Sequence, residues 1–320
     1  MTGYWSMEDF TNRKNPAKRT KSSQLRAEEI ASKVPKLLMS AQEAARSIIV
    51  GEHPLKSPGM GHEFWQFRKY ESHDRPQDID WRKSAKTDSI FVRETEKHAT
   101  QCLAIWVDNT AGMDWRGAKN HISKREACEV LALALGFVAI HNGEACRLYR
   151  EKSPLAQNRE MLEKLAYELV TNGLGKDKRE GIKELGDVAM PSHSIPVLLS
   201  DFMVPVKDYE HYISGLSKYH KTGVVVQTLD PFELELPCEG RINFEIPFYE
   251  GRRQEALIEN VSAIRDEYIE RLEAHVKRIS DITVQQGWSF YRYRSDQDPA
   301  SLLQNIWMNL AANPAREFMS

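Results

Sequence analysis

The stretch CLAIWVD, residues 102–108, decides the fold, because six apolar residues end abruptly at an acid. Two later stretches repeat this order: IPVLLSD at 195–201 and GVVVQTLD at 223–230. Short apolar runs of this kind are typical of buried strands, and ligands of an open parallel sheet bind outside the carboxyl ends of its strands. We therefore expect Asp108, Asp201 and Asp230 to lie along one rim of a sheet.

Helical spacing separates these strands. Helices are predicted over residues 124–141, 159–169 and 206–219. A further short strand is predicted at 144–149. Strands that alternate with helices predict an α/β fold, here a Rossmann-like parallel sheet flanked by helices. Downstream, the pattern predicts a short strand near 244–246, a charged helix over 252–278, a strand at 288–293 and a helix at 300–310.

The chain divides into four predicted parts. Residues 1–22 form a polar, basic tail that we expect to be disordered, and residues 23–98 form an N-terminal segment that begins with one or two amphipathic helices interrupted by Pro35. Residues 99–312 form the α/β domain, and 313–320 a short tail. A strand at 90–94 is predicted to form a hairpin with the strand at 102–107.

Composition indicates a globular protein without a strong overall charge. The 320 residues include 44 Lys and Arg against 46 Asp and Glu, a formal net charge of -2, so no global field attracts nucleic acid or an anionic membrane. The four cysteines are widely spaced and predict free thiols in a reducing compartment. Without a signal-peptide pattern or an apolar run long enough to span a bilayer, we expect a cytoplasmic protein.

The loop after the first of these strands carries a possible metal motif. Asp108-x-Thr110-x-Gly112 resembles a degraded form of the Asp-x-Ser-x-Ser metal-dependent adhesion motif (MIDAS) of von Willebrand factor A domains. This resemblance implies Mg²⁺ or Mn²⁺ bound by Asp108, Thr110 and Asp201, with Asp114 as a substitute ligand because Gly112 offers no side-chain oxygen. In the alternative interpretation, these carboxylates accept backbone N–H bonds in loops and at helix starts, and Asp230-Pro231 is a turn.

A second feature is the block Phe64–Lys86, which mixes aromatic and charged residues closely. One hypothesis makes it a partner-binding surface, because aromatic and Arg side chains dominate interface energetics. The other makes it a buried staple in which Trp81 fills a groove and Asp80 pairs with an Arg, and the density of large side chains favours this second hypothesis. The residues concerned are Arg68, Tyr70, Asp74, Asp80, Trp81 and Arg82.

The same block resembles a known family signature. Phe64-x-x-Phe67-Arg68-x-Tyr70, Asp74 and Ile79-Asp80-Trp81-Arg82-x-Ser84, followed by Phe91-Val92-Arg93-Glu94, are similar to the signature of the bacterial domain-of-unknown-function family 58. The resemblance implies a von Willebrand factor A-like domain behind this segment. It also implies a MoxR-type AAA+ ATPase as partner, and an adaptor role in protein complex assembly or maturation.

Two classes of function follow. The first is a non-enzymatic interaction protein whose rim receives a partner, since no nucleophile motif and no phosphate-binding Gly-rich loop is present. The alternative is a divalent-metal-dependent phosphoester hydrolase that uses Asp108, Asp201 and Asp230. The position of Asp230 relative to the other two acids discriminates between them.

Overall fold

The computed structural model describes residues 16–49, 64–70, 79–86, 89–95, 101–117, 121–150, 152–173, 181–186, 188, 194–249 and 252–312. Of the two predicted tails, residues 1–15 and 313–320 lie outside these described residues.

The N-terminal helix α1 runs without a break from Pro16 to Ile49 and contains Pro35. Residues 16–22 were predicted as part of a disordered tail, but they are helical. One face of α1 is buried, with Ile30, Leu37 and Ala41 in the main hydrophobic core. This packing explains why the helix continues through a proline that would destabilise an isolated helix.

The signature segment forms a small unit of its own. Strand β1 (Phe64–Lys69) pairs antiparallel with β2 (Phe91–Thr95), and the short helix α2 (Trp81–Ser84) lies between them in sequence. The predicted hairpin between β2 and the next strand is therefore wrong. A short connection allows a hairpin but does not require one. Here β2 pairs with β1, although β3 is closer to it in sequence.

Five parallel strands form the central sheet: β3 (Cys102–Val107), β4 (Ala145–Leu148), β5 (Ser194–Ser200), β6 (Val224–Leu229) and β9 (Ser289–Arg294). Their order is β4-β3-β5-β6-β9. The predicted α/β class is confirmed. The three inner strands β3, β5 and β6 read as nearly continuous apolar runs because both faces of the sheet are covered there.

Helices form one layer on each face of the sheet. Leu103, Ile105 and Val107 pack in a core with α1, α3 (Lys124–His141), α4 (Arg159–Gly173) and α8 (Ala300–Ala312). Ala104 and Trp106, which point to the opposite face, pack with α5 (Val206–Ser217), α7 (Val261–Gln285) and the 3₁₀ helix Gly181–Gly186. This alternation is the period-two pattern of a strand buried on both sides.

Between the short helix α6 (Pro231–Glu235) and α7, the chain forms an antiparallel pair, β7 (Ile242–Tyr249) and β8 (Arg252–Ile258). The charged helix predicted over 252–278 is thus wrong in its first part. Residues 252–258 pair as a strand, and the helix begins only at Val261, after Asn260.

Two further predictions can be compared with the structure. All four cysteines are free thiols. Among the helices of the described residues, none combines the length and apolar character needed to cross a bilayer.

Candidate functional site

The carboxyl ends of β3 and β5 lie next to each other at the point where the chain reverses direction across the sheet. From β3 the chain first adds β4 on one side and then returns to add β5 on the other. In open α/β sheets such a switch point creates the crevice in which ligands bind. Asp108 follows β3 and Asp201 follows β5, so both acids lie at this crevice.

Asp108 is buried among hydrogen-bond donors. Its Oδ2 accepts the Ser200 hydroxyl at 2.6 Å, and its Oδ1 accepts the backbone N–H of Thr110 at 2.8 Å. Burial and the neighbouring charge of Asp201 raise the pKa of Asp108, while the bonds from Ser200 and Thr110 lower it. The predicted neighbours Asp108, Thr110 and Asp201 are thus together in space.

Asp201 makes contacts on two sides. Its Oδ1 accepts the backbone N–H of Met203 at 3.0 Å, which closes the turn after β5. Its Oδ2 accepts the ammonium of Lys124 at 2.7 Å. The same ammonium also donates to Oε1 of Glu233 on α6 at 2.6 Å. Of the three rim acids, Asp201 is therefore joined to a lysine that the sequence did not single out.

Lys124 is the first residue of α3, and its side chain is only 2% exposed. Ser123 caps the helix through a capping box with Glu126, which fixes where the first turn starts. Burial lowers the pKa of Lys124, but the ion pairs with Asp201 and Glu233 outweigh burial and raise it above the ordinary lysine value. Lys124 is therefore a buried, charged ammonium.

Glu233 holds the third loop of the rim. Its Oε2 accepts the backbone N–H of Asp230 at 2.9 Å, which completes the capping box of α6. Burial raises the pKa of Glu233, against the opposing effect of Lys124. One lysine thus links the start of α3 to the loops after β5 and β6.

Asp230 has a structural role. It is the N-cap of α6: Oδ1 accepts the N–H of Phe232 at 2.8 Å, and Oδ2 accepts the N–H of Gly117 at 3.2 Å. This agrees with the interpretation in which the carboxylate accepts backbone N–H bonds at a helix start, although Asp230-Pro231 opens α6 and does not form a turn. Lys124 bonds to Asp201 and Glu233, whereas the carboxylate of Asp230 is turned toward Gly117 and its own helix.

Asp114, the suggested substitute ligand, pairs with Arg125 instead. Oδ1 of Asp114 lies 2.6 Å from Nε of Arg125. The same guanidinium donates to Oδ1 of Asn109 at 2.7 Å and to the carbonyl of Thr110 at 3.0 Å. Arg125 thereby braces the loop that carries the motif.

These residues do not fit a divalent cation. A magnesium ion requires about six oxygen ligands in near-octahedral geometry, and the described residues contain no group of three or more His, Cys, Asp or Glu side chains arranged to hold a metal. A Cβ on Gly112 would lie 3.6 Å from Oδ2 of Asp201, so the motif glycine does face the acid. That oxygen is already bound to the Lys124 ammonium.

Exposed apolar side chains lie near the buried network. Trp115 is 43% exposed, Ile122 44% and Met203 40%, although each lies within a few residues of a rim residue. The Trp115 ring lies 5.8 Å from that of Phe232, and β7 contacts the 3₁₀ helix Ala111–Asp114 beside them. We call the exposed side chains of Trp115, Ile122 and Met203, together with the half-buried Phe232, the apolar collar.

The structure corrects the staple hypothesis for the signature block. Trp81 is 66% exposed, and the side chain of Asp80 caps α2 by accepting the N–H of Lys83 at 2.9 Å. The hydroxyl of Ser84 accepts the N–H of Phe91 at 2.9 Å and so joins α2 to β2. The capped helical turn directs Trp81 and Arg82 outward, which favours the surface hypothesis. Tyr70 is half-buried, Arg68 lies in β1, and Asp74 lies outside the described residues.

The resemblance noted in the sequence is matched by a family comparison. Residues 66–278 match the family described as "Protein of unknown function DUF58". The chain belongs to the DUF58 family. The matched stretch begins in β1 and ends within α7, so it includes the signature segment and the rim.

Similar proteins come from mycobacteria. Uncharacterized proteins of Mycobacterium tuberculosis (strains H37Rv and CDC 1551) and of Mycobacterium bovis are each 24% identical over 306 residues, covering 90% of this chain and 93% of theirs. Among solved structures, a point mutant of the PilB minor pilin from Streptococcus sanguinis is 11% identical, with a TM-score of 0.28, covering 70% of this chain and 64% of that one. So weak a likeness supports no inference about fold or function.

Proposed function

We propose that this protein is a non-enzymatic interaction or adaptor protein that docks a partner on the rim at the carboxyl end of its sheet. The observation that carries the proposal is the apolar collar around a rim whose charges are paired internally. Exposed apolar side chains grouped at one site are typical of protein interaction surfaces, whereas singly scattered ones are ordinary. Trp115 is the residue type that most often dominates binding energy.

The pairing of the rim charges supports an interaction site over a catalytic one. The ammonium of Lys124 is shared between Asp201 and Glu233, and Arg125 is shared between Asp114 and the motif loop. A partner that docks here meets apolar side chains around a preformed polar floor. Binding then needs no rearrangement of the loops, which lowers its entropic cost.

The partner that we propose is a MoxR-type AAA+ ATPase, in a system for protein complex assembly or maturation. This part rests on the family resemblance of the signature block. Trp81 and Arg82, both exposed, add a second surface of the composition expected for a partner contact. No catalytic residue is assigned.

The hydrolase alternative gains no comparable support. It requires Asp108, Asp201 and Asp230 to share one or two metal ions, but both oxygens of Asp230 accept backbone N–H groups of Phe232 and Gly117. Asp201 meanwhile faces an ammonium.

A binding measurement with purified components tests the proposal. The tagged protein and the MoxR-type ATPase of the same organism are titrated, with Trp115→Ala as the rim variant. Tyr219→Ala is the matched control, because Tyr219 is 74% exposed and lies after α5, near the amino end of the sheet. We expect Trp115→Ala to weaken binding about tenfold or more, a loss of about 1.4 kcal/mol, with the control unchanged. Absence of binding by the wild-type protein, or equal effects of the two variants, would refute the proposal.

A further inference from the structure

We infer that the ammonium of Lys124 takes the place of a divalent cation at this rim. The positive charge of the site then comes from the protein's own side chain, and the site operates without a metal. The inference goes beyond the proposed interaction role, because it concerns how the rim itself is built and holds whichever partner docks there.

The position of Lys124 is the first argument. Its Nζ lies 2.7 Å from Oδ2 of Asp201 and 2.6 Å from Oε1 of Glu233, and its side chain is 2% exposed. Both distances are those of strong, charge-assisted hydrogen bonds. A buried lysine with two carboxylate partners is a built arrangement, because either charge left alone in the interior would be strongly destabilising.

The location on the helix is the second argument. Lys124 is the first residue of α3 and Arg125 the second, where the helix dipole disfavours positive charge. Their side chains turn back to the rim and meet Asp201, Glu233 and Asp114. The three acids therefore offset the unfavourable interaction of two positive charges with the helix dipole. A helix start with only a structural role would not need these two cations.

Third, the ammonium performs the structural task of a bound ion. It connects the start of α3 with the turn after β5 and with α6, which follows β6 at the same carboxyl end of the sheet. Gly112 stands where the motif has a serine that would add an oxygen ligand, and a Cβ added there would lie 3.6 Å from Oδ2 of Asp201. The chain thus lacks the serine oxygen that would bind a metal ion and has the Lys124 ammonium beside the same carboxylate. Both features favour a site without a metal.

A divalent ion added to this arrangement would meet a like charge. Any position within coordination distance of Oδ2 of Asp201 is close to Nζ of Lys124, which is bound to that same oxygen. Removing the ammonium leaves the carboxylates of Asp201 and Glu233 facing each other near Asp108, and hard oxygen donors of this kind are those that Mn²⁺ and Mg²⁺ prefer.

The test measures Mn²⁺ binding by electron paramagnetic resonance in the full-length protein and in three variants. We expect the wild-type protein to bind no Mn²⁺ at the rim and Lys124→Ala to gain one site. Asp201→Asn, the third variant, keeps the ammonium and should bind no Mn²⁺ at the rim. The double variant Lys124→Ala/Asp201→Asn controls for ions on the surface and should lose the gained site. At about 100 times its Kd, the ion should also multiply the folded-to-unfolded ratio of Lys124→Ala by about 100, with no effect on the wild type.

Two results would overturn the inference. One is a Mn²⁺ ion bound by the wild-type protein and lost in Asp201→Asn. The other is a folded Lys124→Ala variant that gains no site, because the ammonium would then not occupy an ion's place. If Lys124→Ala fails to fold even with Mn²⁺, the wild-type protein is compared with Asp201→Asn instead. Mn²⁺ that is bound by the wild type and lost in Asp201→Asn refutes the inference. The absence of bound Mn²⁺ in the wild type supports it.

Discussion

Nζ of Lys124 and Oδ2 of Asp201 are joined by a buried 2.7 Å ion pair that connects the first residue of α3 to the loop after β5. The pair lies at the switch point of the sheet, where a parallel α/β fold opens its binding crevice. The same ammonium reaches Glu233, so one side chain holds three loops in place. The loops of the rim that we propose as a docking surface are therefore connected to one another before any partner binds.

Lys124→Ala should be strongly destabilising. The substitution leaves two carboxylates buried without their cation, and breaking a buried ion pair in this way costs about 3 to 5 kcal/mol. Urea denaturation with and without the substitution measures this loss. Lys164→Ala is the control, since Lys164 forms an exposed pair with Glu160 at 2.9 Å and should cost less than about 1 kcal/mol. Similar losses for the two variants would contradict the role given to Lys124.

Trp81→Ala should hardly affect stability. The side chain is 66% exposed, and substitutions at such positions usually change the free energy of unfolding by no more than about 0.5 kcal/mol. Trp288→Ala is the matched comparison: this tryptophan is buried, donates from Nε1 to the carbonyl of His220 at 3.0 Å, and should cost about 3 to 5 kcal/mol. A large loss of thermal stability for Trp81→Ala would revive the staple hypothesis.

Stability should fall as the pH rises from about 4.5 to about 7 because of Glu129, which is buried on α3. Burial, opposed by Arg125, raises the pKa of Glu129 from 4.5 to about 7 in the folded protein. A carboxyl whose pKa is raised on folding contributes its full stability below the unfolded pKa, and this contribution is lost as the pH rises through the folded pKa. At about 1.4 kcal/mol for each pH unit between the two pKa values, the loss is about 3 kcal/mol.

Glu129→Gln should remove this component. Denaturation at about pH 5 and about pH 8.5 should show a smaller decline for the variant than for the wild type. Parallel declines in the two proteins would show that Glu129 is not the group responsible.

Gly112→Ser should fold normally and remain indifferent to Mg²⁺. A Cβ at this position meets Oδ2 of Asp201 at 3.6 Å, an ordinary contact, so the missing motif serine can be restored. Lys124 still occupies the rim, and the melting temperature should not respond to Mg²⁺ or to chelator. Gly117→Ala should instead destabilise the protein, because its Cβ meets the β-carbon of Phe232 and the Asp230 carboxylate far inside contact distance. A Mg²⁺-dependent rise in the melting temperature of Gly112→Ser would indicate that the serine alone restores the ion.

The sheet could be predicted because its signals are local. Apolar runs ending at Asp108, Asp201 and Asp230 mark the strand ends, and Asn142-Gly143 marks the end of α3. The segment 252–258 was harder, because its charged residues suit an exposed helix as well as an exposed strand. Only its pairing with β7 decides between them.

The centre of the site depended on distant contacts that no local pattern shows. Lys124 and Asp201 are 77 residues apart in sequence, and Lys124 and Glu233 are 109 apart. One signal was available: Lys124 and Arg125 stand in the first turn of a helix, where acids are the usual residues. The prediction that Trp81 is buried was wrong because a local pattern, the density of aromatic residues, suggested burial. The Asp80 cap, which turns this side chain outward, depends on three-dimensional geometry that the pattern does not show.

The most direct measurement is a crystal structure of the protein grown in Mn²⁺, with the ion located by its anomalous scattering. We predict no anomalous peak at the rim, and continuous density for the Lys124 side chain between Asp201 and Glu233. A manganese peak within coordination distance of Asp108 and Asp201, with Lys124 turned away, would contradict the account and would make the rim a metal site.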